Sequence, residues 1–346
     1  MELTIGTVEV ELTQGCQLKC KHCFADKFFG PMSEQTLDNT VNFLIDLAEK
    51  STYPKLEIIL TGGEPGTFDM SLLSNALLKL RAGVKKELNI SIQTNLLYKI
   101  TDAHLGAFKY CDGITTSWDY NYRYGNIQNE ALFFENLARI KELNKKITMI
   151  ITITDALVAN IPVEMLMSFI LCTGIKSFSI NRLYTPLGVS EEEFRKRMQV
   201  TNEQIREYQY KLYRLYSQVK ERCGLYFFDL ECLVDAANGN NYNQYGNTCP
   251  EELIHINPNG DISRCMDKRG KNFGNVNTTG MNEEEYKKVL IEHRNSVRES
   301  CLHCKYFETC RSGCPWMYFD ETGCSVPYKI IDYIKAKNEL NKIGGQ

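Results

Sequence analysis

Cys16, Cys20 and Cys23 stand in the spacing CxxxCxxC directly after a strand-like run, Val8-Glu9-Val10-Glu11-Leu12-Thr13. An iron–sulfur cube normally takes one cysteine per iron, so three thiolates leave one iron open to a ligand that is not protein. An open metal position marks a reactive site, whereas a closed one marks structure. A second, denser set lies further on. Cys249 and Cys265 frame Gly260 as Cx10Gx4C, and Cys301, Cys304, Cys310, Cys314 and Cys324 follow with two, five, three and nine residues between them.

These thiols must be held by regular elements, and the chain alternates short strand-like runs with amphipathic helical ones from residue 8 to about residue 222. Ser33 is placed to cap a helix whose apolar positions are Leu37, Val41, Leu44, Ile45 and Ala48. The run Leu56-Glu57-Ile58-Ile59-Leu60 ends in Thr61-Gly62-Gly63-Glu64-Pro65 and leads to a helix with Leu72, Leu73, Ala76, Leu77 and Leu80 on one face. Further strands are expected at 88–94, 113–119, 147–154 and 176–183, with helices near 102–109, 129–144 and 162–172 and a long one through Ile205, Leu212 and Val219. Six β/α units imply an α/β fold, a parallel sheet covered by helices; eight would close a full TIM-like barrel, so six leave it open. In such folds the chemistry lies at the C-terminal ends of the strands. Those ends carry CxxxCxxC, Gly-Gly-Glu-Pro, Gln93-Thr94-Asn95, Ser117-Trp118-Asp119 and Asn181-Arg182-Leu183, all on one rim.

The polar run 238–247 reads as a linker, and an amphipathic stretch near 327–342, with Ile330, Ile331 and Ile334, as a terminal helix. Between them the cysteine-rich segment shows little periodicity, as in small domains held together by metal. The net charge of −3 provides no electrostatic reason to expect nucleic acid or an anionic membrane as partner. No apolar stretch approaches the roughly 18 residues of a membrane span, and the first residues lack a signal peptide's basic and apolar regions. A cytoplasmic chain is expected, in which 14 cysteines read as metal ligands rather than disulfides.

CxxxCxxC after a first strand and Gly-Gly-Glu-Pro after the second resemble the radical S-adenosylmethionine superfamily. The resemblance implies a partial (β/α)6 barrel at residues 1–222, in which Cys16, Cys20 and Cys23 hold a [4Fe–4S] cluster whose open iron chelates S-adenosylmethionine. The competing reading of the thiols alone is a zinc site completed by His22. Gly62 and Gly63 lack a Cβ and let the backbone approach a ligand; Glu64 can accept from its ammonium group. By resemblance Ser117 contacts the ribose, Arg123 pairs with the methionyl carboxylate, and Leu183 and His22 lie by the adenine.

The later cysteines resemble the SPASM domain, an auxiliary-cluster module, expected at 249–326 behind a bridging segment at 223–248 and ahead of the helix at 327–346. The resemblance implies two more [4Fe–4S] clusters, three in all. Cys301, Cys304, Cys310 and Cys324 would bind one; Cys249, Cys265 and Cys314 would bind the other, with Cys232, Cys223 or an open iron completing it. Asp267 is a candidate general base, since some members place an Asp beside the second of these cysteines. Cys111 and Cys172 fit no pattern and read as small buried apolar residues.

The implied activity is that of a radical oxidoreductase: one electron, from an external donor of the flavodoxin or ferredoxin type, cleaves S-adenosylmethionine to a 5′-deoxyadenosyl radical that abstracts hydrogen from the substrate. The full set of seven later cysteines favours a peptide or protein side chain. The early start of the barrel and the departure of Thr115-Thr116-Ser117-Trp118-Asp119 from the sequence many peptide maturases show favour a small sugar-like or aminosugar molecule, for a dehydrogenase or epimerase. A non-enzymatic iron–sulfur electron carrier is the third reading.

Overall fold

The computed structural model describes residues 3–25, 28–186, 188–240, 252–264, 271–295, 297–314 and 317–344. Six strands lie side by side in chain order: β1 (Thr7–Thr13), β2 (Lys55–Gly62), β3 (Glu87–Thr94), β4 (Gly113–Ser117), β5 (Lys146–Thr152) and β6 (Ser177–Asn181). Every neighbouring pair is parallel. The connections carry α1 (Glu34–Lys50), α2 (Met70–Gly83), α3 (Asp102–Lys109), α4 (Ile127–Lys141), α5 (Asp155–Asn160) and α6 (Val163–Thr173). The expected α/β architecture is present, with a large, mostly parallel sheet whose strand order does not close.

Alternation sets the two faces. Val8, Val10 and Leu12 of β1 and Leu56, Ile58 and Leu60 of β2 are buried in the apolar core. Glu9, Glu11 and Thr13, and after them Thr61, Gln93, Ser117 and Thr152, point to the opposite, inner face. Ser33 caps α1 as expected, its Oγ accepting from the Thr36 N–H at 3.1 Å. The helices end where the strands begin, and basic side chains meet their orphan carbonyls there. Lys86 donates to Ser51 O at 2.8 Å, Lys145 to Lys109 O at 2.9 Å and Lys176 to Cys223 O at 2.9 Å. The basic residues at this end thus serve the fold and leave the opposite rim to the site.

Three strands end earlier than their composition suggests, β6 at Asn181 instead of Leu183 among them. β4 stops at Ser117, short of Asp119, and β5 stops at Thr152 because Thr154 turns to cap α5. The chain after β6 also divides, into α7 (Glu191–Met198) and the long α8 (Asn202–Cys223), followed by β7 (Tyr226–Phe227) and α9 (Phe228–Ala237). β7 extends the sheet beside β6.

The larger departure concerns the cysteine-rich segment. Its first strand, β8 (Leu253–Ile256), lies parallel to β1 on the other edge of the barrel sheet. β9 (Asp261–Ser263), β10 (Gly274–Asn275) and β11 (Gly280–Met281) continue the sheet as an antiparallel meander. Ile254, Ile256 and Ile262 are fully buried in the same core as the barrel. This segment therefore borrows an apolar core instead of lacking one. Its strands are too short for their alternation to stand out among cysteines and turns.

The terminal helix (Tyr328–Gly344) packs Ile330, Ile331 and Ile334 against α8 and α9. Among the described residues no helix is long and apolar enough to cross a membrane. Ile331→Ala should cost about 2–5 kcal/mol through lost burial and a residual cavity. Leu340→Ala, at a position 68 % exposed, should stay within about 0.5 kcal/mol. Urea unfolding of the two variants measures the difference.

Candidate active site

The CxxxCxxC loop leaves β1 at Thr13 and returns at the Met32 N–H, which donates to Leu12 O at 2.8 Å. Among the described residues between those points the chain forms no helix or strand, so its neighbours must support it. The Gly63 N–H donates to Thr13 O at 2.7 Å and the Glu64 N–H to Gly15 O at 2.9 Å. A Cβ on Gly62, whose φ is +142°, would stand 2.2 Å from Thr13 O, and one on Gly63 2.4 Å from Gly15 O. The glycines therefore clear room for the cluster loop itself, a role beside that of letting a ligand approach.

Cys16, Cys20 and Cys23 form no disulfide, and each is half-buried. Burial pushes the Cys20 thiol up; Arg123 opposes this, and Asp119, Cys23 and Cys16 add to it. Cys16 Sγ accepts from the Leu18 N–H at 3.4 Å and from Asn95 Nδ2 at 3.8 Å, the kind of donor that tunes a ligating sulfur. One cavity of about 130 Å³ is lined by all three thiols, by His22, Gly62, Gly63 and Glu64, and by Ser117 and Arg123 across the rim. Leu183 is 1 % exposed and does not line it; its carbonyl accepts from the Tyr318 N–H at 3.2 Å, while Asn181, the last residue of β6, does face the cavity.

Glu64 is 1 % exposed, and its carboxylate is largely occupied by the chain. Oε1 accepts from the Gly66 N–H at 2.7 Å and from Thr94 Oγ1 at 2.6 Å, and Oε2 from the Asn95 N–H at 2.6 Å. It thereby ties the turn after β2 to the end of β3. Burial raises its pKa to about 6 despite these donors.

Asp119 is the residue that the sequence reading left out of the site. It is fully buried, and its Oδ2 lies 2.7 Å from Arg123 Nε, 2.6 Å from Arg123 Nη2 and 3.4 Å from His22 Nε2. Its Oδ1 accepts from the Thr152 N–H at 3.0 Å. Burial opposes its ionisation, yet the charges and hydrogen bonds of Arg123 and His22 hold it far below the usual carboxylate range. Asp119 thus fixes two residues of the cavity at once. The short Ser117-to-Arg123 interval was the available signal: Asp119 and Arg123, four apart, share one turn after β4.

The second constellation forms a separate cavity of about 230 Å³, where Cys301, Cys304, Cys310 and Cys324 meet beside Met317, Phe319 and Val326. Burial pushes the Cys310 thiol to about 12, against the opposing charge of Arg182. Cys324 sits on a small hairpin of Phe319–Asp320 and Gly323–Cys324. Asn202 at the start of α8 clamps it, donating from Nδ2 to Tyr318 O at 3.0 Å and to Gly323 O at 2.7 Å, while Asp320 Oδ2 accepts from its N–H at 2.6 Å. Arg206, one turn on, donates to Thr322 O at 3.0 Å and also to Cys324 O.

Cys314 is half-buried and lines neither cavity. Cys249, Cys265 and Asp267 lie outside the described residues. Cys232 is buried on α9, its thiol pushed to about 12 first by burial and then by Asp229 and Asp235. Cys111 is buried as expected, but Cys172 is exposed on α6. Among the described residues no three ligand-type side chains are gathered for a single metal ion. Thiolates on different irons of a cube need no such convergence.

An open β/α barrel with a three-thiol loop at the strand ends and a four-thiol cavity behind it defines an iron–sulfur enzyme scaffold. Family models give it a narrower place: the Radical SAM superfamily model matches residues 10–157, and that of the SPASM iron–sulfur cluster-binding domain matches 248–305. Residues 10–157 thus form a radical SAM domain and residues 248–305 a SPASM domain; the cofactors of such domains are [4Fe–4S] clusters and S-adenosylmethionine. In fold it is similar to anSMEcpe, an anaerobic sulfatase maturase solved with bound AdoMet, at a TM-score of 0.79 and 14 % identity over 99 % of this chain and 96 % of that one. It is also similar to Streptococcus suis SuiB bound to the precursor peptide SuiA, at 0.62 and 16 % identity over 94 % and 76 %. No curated protein matches the sequence.

Because the fold raises the Glu64 pKa above its unfolded value, the folded state binds the extra proton more tightly. The stability this contributes is complete below the unfolded pKa of about 4.5 and is lost as pH rises through about 6. The shift is worth about 2 kcal/mol. Glu64→Gln should remove that dependence and turn an amide donor toward a backbone N–H, costing about 1–3 kcal/mol. Unfolding midpoints between pH 4 and pH 7 compare the two proteins. Asp119→Asn should strand the Arg123 charge and cost about 3–5 kcal/mol, seen in the same unfolding measurement at pH 7.

Proposed function

We propose that this chain is a radical S-adenosylmethionine oxidoreductase that abstracts hydrogen from a side chain of a peptide or protein substrate. The observation that carries the reading is the single cavity in which Cys16, Cys20 and Cys23 meet the Gly62-Gly63-Glu64 turn, Ser117 and Arg123. Peptides were bound in two of the similar structures: anSMEcpe with the Cp18Cys peptide and SuiB with its precursor peptide SuiA. A cluster on the three cysteines would supply the electron that cleaves S-adenosylmethionine and starts hydrogen abstraction.

The chain's own residues hold and orient. Asp119 takes the Nε and Nη2 donors of Arg123, leaving other N–H groups of the guanidinium for a ligand carboxylate. Ser117, at the end of β4, offers a hydroxyl to the ribose, and His22 a flat ring beside the adenine. Cys301, Cys304, Cys310 and Cys324 would hold one auxiliary cluster. Cys249, Cys265 and Cys314 would hold the other, with Cys232 as the fourth ligand, making three clusters in all. Asp267 would take the substrate proton. We read the barrel as residues 1–222 and the SPASM unit as 249–326, in a cytoplasmic protein served by a flavodoxin- or ferredoxin-type donor.

Anaerobically reconstituted protein should bind about twelve irons and, with dithionite, convert S-adenosylmethionine to 5′-deoxyadenosine. Replacing Cys16, Cys20 and Cys23 by Ala should abolish cleavage and leave about eight irons. A cysteine-containing peptide should stimulate 5′-deoxyadenosine release. Stimulation by a polyol or aminosugar alone would replace the substrate assignment, and absence of cleavage with all irons bound would leave an electron carrier.

A further inference from the structure

A buried charged cluster between β1 and β8 has no part in the scheme above. His255 on β8 is fully buried and Glu11 on β1 is 2 % exposed. The β1–β8 register sets His255 opposite Glu9, which places the imidazole between two carboxylates of the inner face. Nε2 lies 3.5 Å from Glu11 Oε2, and Nδ1 lies 3.4 Å from Glu9 Oε2. Burial alone would lower the imidazole pKa, but the hydrogen bond to Glu11 and the charges of Glu9 and Glu11 raise it, Nδ1 facing Glu9 Oε2 without hydrogen-bond geometry. Charged groups this far from water persist only when paired, so the cluster has a definite geometry.

The cluster continues toward the cysteine loop. Glu11 Oε2 also accepts from Gln14 Nε2 at 2.8 Å. At its other end, Gln14 Oε1 accepts from the Phe28 N–H and the Phe29 N–H, both at 2.8 Å. Gln14 is 1 % exposed, and its amide cannot flip without turning an oxygen on a carboxylate and an NH2 group on two N–H donors. It stands two residues before Cys16, while Phe28 stands five after Cys23. The side chain therefore closes the base of the loop, and Glu11 and His255 set which way it faces. The strand that supplies His255 lies between Cys249 and Cys265, the pair that frames the first part of the SPASM motif.

We propose that His255, Glu11 and Gln14 form a positioning relay, through which docking of the SPASM strand β8 on the barrel edge fixes the loop that carries Cys16, Cys20 and Cys23. This rests on the assignment of the S-adenosylmethionine-binding cluster to those cysteines. None of the three residues touches the reacting atoms; they act through the loop. The SPASM segment and the barrel would then be mechanically joined at the site where the radical starts.

The two ring nitrogens of His255 provide the test. Gln places an amide nitrogen near the Nε2 position and can still donate to Glu11, whereas Asn places one near Nδ1 and reaches only Glu9. In reconstituted holoprotein, His255→Asn should raise hydrogen exchange at the Phe28 and Phe29 amides and weaken S-adenosylmethionine binding, each by about ten-fold, the loss of one hydrogen bond's worth. His255→Gln should stay near wild type on both readouts. Gln14→Met, which keeps the shape but not the donors and acceptors, should match His255→Asn with the auxiliary irons retained. Equal behaviour of the Asn and Gln variants would reduce His255 to a strand-docking residue and overturn the relay. So would wild-type exchange at Phe28 and Phe29 in Gln14→Met, which also decides the matter should the His255 variants not fold. If wild type binds no S-adenosylmethionine, the cluster assignment fails, and the amide exchange still tests the relay by itself.

Discussion

The molecule turns on one close approach, that of the backbone leaving β2 to the backbone leaving β1. Gly63 and Glu64 donate their N–H groups to Thr13 O and Gly15 O, at 2.7 and 2.9 Å. Among the described residues the three-thiol loop forms no helix or strand, and these contacts, the Gln14 closure and the Gln17 bonds to Asn95 Oδ1 and Leu97 O give it its shape. Only glycine fits there, because any Cβ would occupy the space of the Thr13 and Gly15 carbonyls. A cluster loop that must present three sulfurs from one side gains its rigidity from a neighbouring strand, not from itself.

Three buried carboxylates surround that contact, and each is used differently. Glu64 accepts three donors and ties the second strand end to the third. Asp119 holds Arg123 and His22 on the opposite rim. Glu11 joins the loop to β8 through Gln14 and His255. Leaving any of them unpaired would cost more than the pairing returns, so each acts as a geometric constraint. The rim is thereby preorganised by charges that solvent does not screen.

The SPASM region and the barrel share structure more closely than a two-domain reading suggests. β8 pairs with β1, the Asn202 side chain of α8 clamps the Cys324 hairpin, and the terminal helix packs back on α8 and α9. Leu183 joins this junction through its carbonyl, which accepts from the Tyr318 N–H. The four-thiol cavity thus takes its position from barrel elements on two sides.

Much of this was legible in the linear chain because its signals are local. Cysteine spacing, the Gly-Gly-Glu-Pro turn and the repeated alternation of strand and helix periods identify six β/α units and two thiol constellations without any long-range contact. The sequence also places Ser117 and Arg123 on the same rim as the loop, since strand ends in a parallel sheet share one side. What it could not show is which groups would be buried together. Asp119 reads as an ordinary strand-end carboxylate until β5 covers it, and His255 as one polar residue among isoleucines until β8 docks beside Glu9 and Glu11. β8 itself was invisible, because a four-residue strand has too few alternations to be told from a loop. Spacing along the chain determined which chemistry the residues could do; burial and pairing across 244 residues of sequence, from Glu11 to His255, were decided only by the tertiary fold, since the cost of removing a charge from water depends on what else is there.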